Sequence, residues 1–582
     1  MRLMKSHFEF LANELIHEVF DYLSSFDLIK SFSKLNKRFS HLISQRVVKI
    51  DLSHLSKNQY ENLTHIIPLN QIYFLKISNK WTINILSRIS FNLMNNLQVL
   101  ILYHINYNDL RNLFESKSMF LVFQQLNTLK IQSTNFNELD GQRIFVLRKI
   151  FSQMPKLRVC QIPLMDVNDF DDLTPTSTLQ QLILDYCTMI CLDRLLNYVP
   201  NAQSLSIRLY IDLQNFSKDL SITKVHSIKS NIRSLEISTI NNIPFNHIED
   251  LFKKSFNHLE TLKFFFKTDA LSQSSLDYID SKRWECLLRS ILSLQYFYFC
   301  IEMPVESEII SNSFEKNQFF SKRNWKFSSQ VYTYSFNTIL RIHTDPYPKR
   351  SLDIIPSKLF PDNNNTNNGD DDDSMYSNVR NLRILIDSTS TSILNNLSTV
   401  IYKNVTSLTL ISNRTFNEQV FLTYLFSIIN RDNIIHLKIQ LDNCSKNFLL
   451  NFIENLKNLS SLTISTYQSW SKLIQLTSYV SKSNIRLLTV YEVLTDFNQF
   501  ELLHELFNQL ETVSVNITSI DDCYRLLTLL FIGNKRRQVE NLRSLAIKCD
   551  FHEPDAIANW VRSNVLRKLS YKCTTSALII WL

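Results

Sequence analysis

A single short pattern of apolar and polar residues recurs along most of the chain. From about residue 47 to the carboxyl terminus, the sequence returns to apolar-x-x-apolar-x-apolar, usually after an asparagine or another polar residue. Apart from one longer gap between residues 294 and 379, successive copies begin 22 to 35 residues apart. Weaker copies begin at Val47 and Asn337. The 17 clear copies begin at residues 72, 97, 126, 157, 179, 202, 232, 259, 294, 379, 405, 434, 459, 485, 510, 542 and 566.

Each copy predicts a short strand, and the segment after it predicts a helix. Residues 246–256 and 447–456 carry apolar side chains at the spacing of an amphipathic helix. A strand followed by a helix at this period predicts parallel strands in one curved sheet, the α/β architecture of a leucine-rich repeat solenoid. The asparagine or cysteine that usually follows such a strand is mostly absent, although Cys187 and Asn413 occupy its place. We therefore expect an incomplete asparagine ladder.

A different pattern occupies residues 8–45. Asn13 is a predicted N-cap for a first helix, and a second helical pattern follows Asp27. About 40 residues form a very small core, so such a module needs a partner surface or caps the open end of the array. The apolar stripes consist of Leu15, Ile16, Val19, Phe20 and Leu23 in the first helix and Leu28, Phe32, Leu35 and Phe39 in the second.

The same residues resemble an F-box. The stretch 11–43 follows the family order of Leu-Pro, Glu-Ile/Leu, Ile/Val-Phe, Tyr-Leu, Asp-Leu and a late basic-aromatic pair. One departure is Ala12, where the family usually has proline, and this substitution weakens the predicted helix start. The matching residues are Glu14, Leu15, Val19, Phe20, Leu23, Asp27, Leu28, Arg38 and Phe39.

This resemblance implies a substrate-recognition subunit of an SCF-type ubiquitin ligase. The F-box would dock on a Skp-family adaptor, which joins it to cullin and RING subunits, while the solenoid holds a target protein. The chain would supply positioning rather than covalent chemistry. An alternative stays open, namely a non-ligase scaffold in which the amino-terminal helices only cap the solenoid. The residues implied for adaptor contact are Leu11, Leu15, Ile16, Val19, Phe20, Leu23 and Leu28.

One segment interrupts the repeats. Residues 345–377 hold four prolines, a run of asparagines, Gly369 and four consecutive aspartates, which is typical of a disordered acidic insertion or a hinge. The predicted organisation is therefore an F-box-like helical module at 1–46, a repeat block at 47–344, this insertion, and a second block at 378–582 that continues the solenoid.

The scarcity of glycine excludes several kinds of active site. Gly141, Gly369 and Gly533 cannot form a P-loop, a dinucleotide-binding turn or the elbow of a serine hydrolase. The 13 histidines lie at least ten residues apart, which excludes local metal-binding motifs. We therefore expect no enzymatic activity, no cofactor and no metal.

Net charge and cysteine usage indicate the classes of partner and the cellular compartment. A formal charge of +8 over 582 residues is too mild to indicate nucleic-acid or membrane binding. Nine scattered cysteines without a CxxC pair favour a reducing compartment, and no stretch of 18 apolar residues occurs. We expect a cytoplasmic protein and leave the nucleus open.

The polar positions of the repeat predict a target-binding surface. Of the 51 x positions in the 17 copies, 12 are basic and three are acidic. Long solubilising side chains are the simpler explanation, but it would favour glutamate as readily as arginine. We therefore expect a basic concave face that binds an acidic or phosphorylated segment of the target. The candidate residues are Lys130, Arg158, Arg233, Lys263, Lys438, Arg486 and Arg543.

Overall fold

A computed structural model provides the structure of the chain. It describes residues 10–21, 23, 28, 31–32, 35–44, 48–51, 69–78, 91–103, 105, 107–132, 140–163, 175–210, 230–239, 243–268, 273–305, 313–334, 337–354, 376–386, 401–412, 414–466, 484–493, 509–531, 542–549, 554–564, 570–573 and 577–581.

Helices and strands alternate along most of these residues. Helices α1 to α14 span Asn13–Asp21, Lys37–Ser44, Tyr107–Glu115, Met119–Phe123, Asp140–Gln153, Met189–Tyr198, Phe245–Ser255, Gln273–Leu276, Ser281–Arg289, Gln318–Lys322, Glu418–Ile428, Lys446–Glu454, Ile520–Phe531 and Pro554–Asn564. Strands β1 to β22 span Val48–Asp51, Ile72–Ser78, Val99–Tyr103, Thr128–Gln132, Val159–Ile162, Gln181–Thr188, Ser204–Tyr210, Ser234–Thr239, Thr261–Lys267, Tyr296–Val305, Phe327–Tyr334, Asn337–Thr344, Ser351–Ile354, Asn381–Leu385, Ser407–Ser412, His436–Leu441, Ser461–Ile464, Leu487–Val493, Thr512–Asn516, Ser544–Lys548, Ser570–Cys573 and Ala577–Trp581.

The chain forms two compact units. The first comprises Met1–Thr268 and Ser272–Phe297, and the second comprises Asp269–Leu271 and Tyr298–Leu582. The strands form two large, mostly parallel sheets, and the change from one sheet to the other falls between β12 and β13. The mixed α/β class expected from the repeats is therefore confirmed.

Within the first unit, the strands from β1 to β9 follow one another in sequence order and pair in parallel. The register aligns the second apolar position of each repeat with the same position of the next repeat. These aligned side chains are buried and form a continuous row of the core, because a strand presents alternate residues to each face. The row from β4 to β9 contains Leu129, Cys160, Leu182, Leu205, Leu235 and Leu262.

The second unit repeats this order in the second sheet. Strands β13 to β20 lie in sequence order and pair in parallel. Two antiparallel sets accompany them in this unit, since β12 lies between β10 and β11, and β22 lies between β20 and β21. The copies predicted at Asn337 and at residue 566 are therefore not parallel repeats, because alternating apolar residues suit both strand directions.

The helices between strands bury one stripe each, as their spacing predicts. The predicted helix at 246–256 is α7, in which Phe245, Ile248, Leu251 and Phe252 are buried. The predicted helix at 447–456 is α12, and the hydroxyl of Ser445 accepts from the Phe448 amide at its first turn. Each buried Leu, Ile or Phe side chain contributes about 1.5–3 kcal/mol relative to an exposed one.

Part of the predicted insertion at 345–377 is regular structure. Strand β13 pairs with β14, and Leu352 and Ile354 are buried on one side of it. Tyr347 is also buried, after a cis peptide bond between Asp345 and Pro346. The prolines obscure this strand in the sequence. Residues 355–375, which include the four aspartates, lie outside the described residues.

An asparagine ladder is present, at the opposite end of the strand from the predicted one. The asparagine just before a repeat's first apolar position donates its Nδ2 hydrogen to a main-chain carbonyl of the preceding repeat, at 2.6 to 3.2 Å. These bonds satisfy carbonyls that the turn into the strand leaves without a partner in the sheet. Asn413 lies outside the described residues, and Cys187 is buried within β6. The ladder consists of Asn96, Asn201, Asn231, Asn378, Asn404, Asn433, Asn458 and Asn484.

Candidate protein-interaction surfaces

The amino-terminal module has an aromatic core of its own. The ring centroids of Phe20 and Phe32 are 5.2 Å apart, and those of Phe32 and Phe39 are 5.6 Å apart. Ile16 and Leu28 are buried as well. Three of the seven residues implied for adaptor contact, namely Ile16, Phe20 and Leu28, are therefore buried in the isolated chain.

Arg38 of α2 fixes the beginning of α1. Its Nη2 donates to the main-chain oxygen of Leu11 at 2.6 Å, and Nε and Nη2 both donate to Oδ1 of Asn13 at 3.0 and 2.7 Å. The first helical bond runs from the Ile16 amide to the Ala12 carbonyl. The N-cap is therefore Ala12, one residue before the predicted Asn13, whose side chain accepts from Arg38.

Among the described residues of the module, three large apolar side chains are exposed. Phe10 is 71% exposed, Leu35 is 58% exposed, and Leu15, on the first helical stripe, is 47% exposed. The remaining residues implied for adaptor contact, Leu11, Val19 and Leu23, are half-buried. Exposed apolar residues in so small a module are typical of a protein-binding surface.

The seven predicted target-binding residues all lie at outward positions, and most of them are exposed. Acidic residues of neighbouring repeats pair with four of the seven. Arg233 lies 3.4 Å from Glu260, and Lys263 lies 3.8 Å from Glu236. The acidic residues at x positions are few, but each lies beside basic ones, so the face is less positive than a count suggests.

Glu511 pairs with two arginines at once. Its carboxylate oxygens lie 3.8 Å from Arg486 and 3.4 Å from Arg543. The other three candidates, Lys130, Arg158 and Lys438, form no ion pair within the described part of the chain. The structure therefore divides the seven basic residues into a neutralised set and an unneutralised set.

A polar groove runs along the strand beginnings of the first unit. Its volume is about 760 Å³, and its charged lining residues are Arg158, Arg233 and Glu260, beside His258. Two of the predicted target-binding residues thus share one groove. Amides and hydroxyls form the rest of the lining, which suits hydrogen bonding to a polar peptide. They belong to Ser177, Thr178, Gln180, Asn201, Gln203, Asn231 and Ser293.

A buried polar network in the second unit has no counterpart in the sequence analysis. Arg341 Nε donates to Glu302 Oε1 at 3.0 Å, and Arg341 Nη2 donates to the main-chain oxygen of Asp353 at 2.9 Å. Beside them, His343 is fully buried, and burial lowers its pKa to about 4. Burial likewise raises the pKa of Tyr376, whose hydroxyl lies 3.4 Å from His343 Nε2. These groups are enclosed, so their contribution is to structure.

Metal ligands and membrane-spanning helices were sought among the described residues. Within the described residues, no group of three or more His, Cys, Asp or Glu side chains could hold a metal ion. Among the described helices, none has the length and apolar character needed to span a bilayer.

Comparisons with known proteins leave the family open. No protein-family model matches the chain, and no curated protein matches it. Among solved structures, one similar structure is the "Crystal structure of Rad7 and Elc1 complex in yeast", and the alignment covers 86% of this chain and 86% of the matched chain. The identity is 11% and the TM-score is 0.21. Because that TM-score is too low to establish a shared fold, no property of that complex is transferred to this chain.

Proposed function

We propose that this protein is the substrate-recognition subunit of an SCF-type ubiquitin ligase. Residues 1–46 would dock on a Skp-family adaptor, and through it on cullin and RING subunits. The repeats would form a leucine-rich repeat solenoid that holds the target protein. The chain itself would perform no covalent step, since its contribution is to raise the effective concentration of the target beside the transferring subunits.

The observation that carries this proposal is the exposed apolar surface of the amino-terminal module. The F-box resemblance lies in residues 11–43, and Phe10, Leu15 and Leu35 in and beside that stretch are exposed while Phe20 and Phe39 are buried. Burying these three side chains against an adaptor removes apolar surface from water, at about 25 cal/mol per Å². The solenoid is supported by the sequence-ordered parallel strands and by the asparagine ladder.

The alternative is a scaffold that assembles no ligase, in which the module only covers the end of the array. A covering module would bury its apolar stripe against the first repeat. Leu15, which lies on that stripe, is 47% exposed, and this observation favours the receptor over the cap.

Co-expression with a Skp-family adaptor tests the proposal. We expect the wild-type chain to co-purify with the adaptor and the variant Leu15→Glu with Leu35→Glu to lose it. Both side chains are exposed, so these substitutions leave the module folded, whereas a change at the buried Phe20 would disrupt it. Leu292→Glu is the matched control, because Leu292 is also exposed, in the same unit but outside the module.

Two outcomes would count against the receptor function. The first is a folded wild-type chain that captures no adaptor, which would favour the scaffold. The second is equal capture by the wild type and the double variant, which would place any adaptor contact elsewhere. Circular dichroism of each purified variant shows whether the fold is retained.

A further inference from the structure

Two lysines of the second sheet approach the same exposed aromatic ring. Lys438 of β16 has its Nζ 5.5 Å from the ring centroid of Tyr491, and Lys548 of β20 has its Nζ 5.1 Å from that centroid. Tyr491 belongs to β18, two strands away from each lysine, and is 47% exposed. The two ammonium groups therefore lean inward from opposite sides over one ring.

The strands between the lysines carry short hydroxyl side chains. The register aligns Lys438 with Thr463, Thr463 with Thr489, and Thr489 with Ser514. Thr463, Thr489 and Ser514 are half-buried and outward-facing. Small residues at these positions leave the ring and the two ammonium groups accessible, and their hydroxyls add hydrogen-bond donors.

Neither lysine is neutralised within the described residues. Arg486 and Arg543, on the same face of the same sheet, share the carboxylate of Glu511. Lys438 and Lys548 form no ion pair in the described part of the chain, and both ammonium groups lie against the Tyr491 ring. The sheet thus keeps two positive charges available at one place, while Arg383, Arg486 and Arg543 of the same sheet are paired with acidic residues.

We propose that Lys438, Tyr491 and Lys548 form a docking site for an extended acidic segment of a partner protein. In an extended chain, side chains two residues apart lie on the same side at about 7 Å. This spacing lets two carboxylates of an acidic-x-acidic sequence reach the two ammonium groups on either side of the ring. The tyrosine ring then packs against the peptide between them. The proposal rests on the outward face of the repeats as the target-binding surface and is independent of adaptor docking.

Fluorescence anisotropy with the full-length chain tests the site. The probe is a labelled peptide of alternating glutamate and serine, and the comparison peptide has glutamine in place of glutamate. We expect only the acidic peptide to bind, with an affinity that falls as salt is raised. Lys438→Gln with Lys548→Gln is expected to weaken binding about tenfold, which corresponds to about 1.4 kcal/mol, because both ion pairs with the peptide are lost and surface ion pairs are individually weak.

A matched control removes the same charge elsewhere in the unit. Lys446→Gln with Lys457→Gln changes two lysines that lie outside the strands of the sheet and should leave binding unchanged. Equal weakening in both double variants would overturn the proposal, because it would reduce the effect to net charge. Binding only of a peptide with phosphoserine in place of glutamate would also overturn it. Loss of adaptor capture with acidic-peptide binding intact would refute the ligase function and leave this site standing.

Discussion

Arg341 and Glu302 are register partners on the antiparallel strands β12 and β10, and their side chains form an ion pair that is almost completely buried. Arg341 is 1% exposed, and its guanidinium also donates to the main-chain oxygen of Asp353 in β13, the first strand of the second sheet. One side chain thus ties the antiparallel strands to β13.

Removing one member of this ion pair should destabilise the protein far more than removing both members. We expect Arg341→Met to lower the free energy of unfolding by about 3–5 kcal/mol, because Glu302 would remain as an uncompensated buried charge. The double variant Arg341→Met with Glu302→Leu should recover most of that loss. Chemical denaturation of the three proteins measures it, and equal destabilisation by the single and double variants would contradict the prediction.

His343 should make the stability of the second unit depend on pH. Its pKa in the folded chain is about 4, below the ordinary value of 6.5, so the unfolded chain binds more protons between these two values. The contribution of His343 is complete above pH 6.5 and is lost as pH falls toward 4. We expect a loss of about 3 kcal/mol over that range.

The matched variant for this measurement is His343→Gln, which cannot be protonated. Its stability should fall less than that of the wild type between about pH 6.5 and pH 4. Carboxylates are common to both proteins, so the difference between the two curves reports the histidine. Parallel curves would show that His343 is not held neutral.

Arg38 should be required for the start of α1. Arg38→Met removes three hydrogen bonds to Leu11 and Asn13. A hydrogen bond to a charged group contributes no more than about 3 kcal/mol to stability. We expect faster amide hydrogen exchange at the first turn of α1 and weaker adaptor capture. Lys37→Met, which changes the preceding exposed residue of α2, is the control. Unchanged exchange in Arg38→Met would show that the helix start is fixed by other contacts.

Each asparagine of the ladder should contribute separately to the stability of the protein. Asn433→Ala leaves the Lys403 carbonyl without its donor and should cost about 1–2 kcal/mol of unfolding free energy. Asn447→Ala, at an exposed position of α12, should change the stability little. Equal effects in thermal or chemical denaturation would argue against a structural role for the ladder.

The sequence predicted those elements that depend only on the spacing of apolar residues within a short stretch. The strand starts and the helices α7 and α12 follow from apolar spacing over a few residues. The ladder was misplaced because the usual repeat carries its asparagine after the strand, whereas Asn231 and its equivalents precede it. The sequence already contained the signal, since an asparagine often stands before the first apolar position.

The parts that could not be predicted depend on residues far apart in the chain. Glu302 and Arg341 are 39 residues apart, and nothing local distinguishes them from surface residues. The pairing of Glu511 with two arginines depends on the register of three strands. Tyr491 and Lys548 were missed because they follow the third apolar position of their repeats, where β18 and β20 continue beyond the repeat pattern.

The antiparallel pairing of β22 with β20 has a consequence for how such a chain can change in length. Between β13 and β20, every strand pairs in parallel with the next one. A duplicated strand–helix unit could therefore be inserted between any two of these strands. At β20 the next strand runs the other way, and a copy inserted there would have to displace an established partner. Duplication of a repeat in this unit is therefore expected to add strands between β13 and β20 rather than after β20.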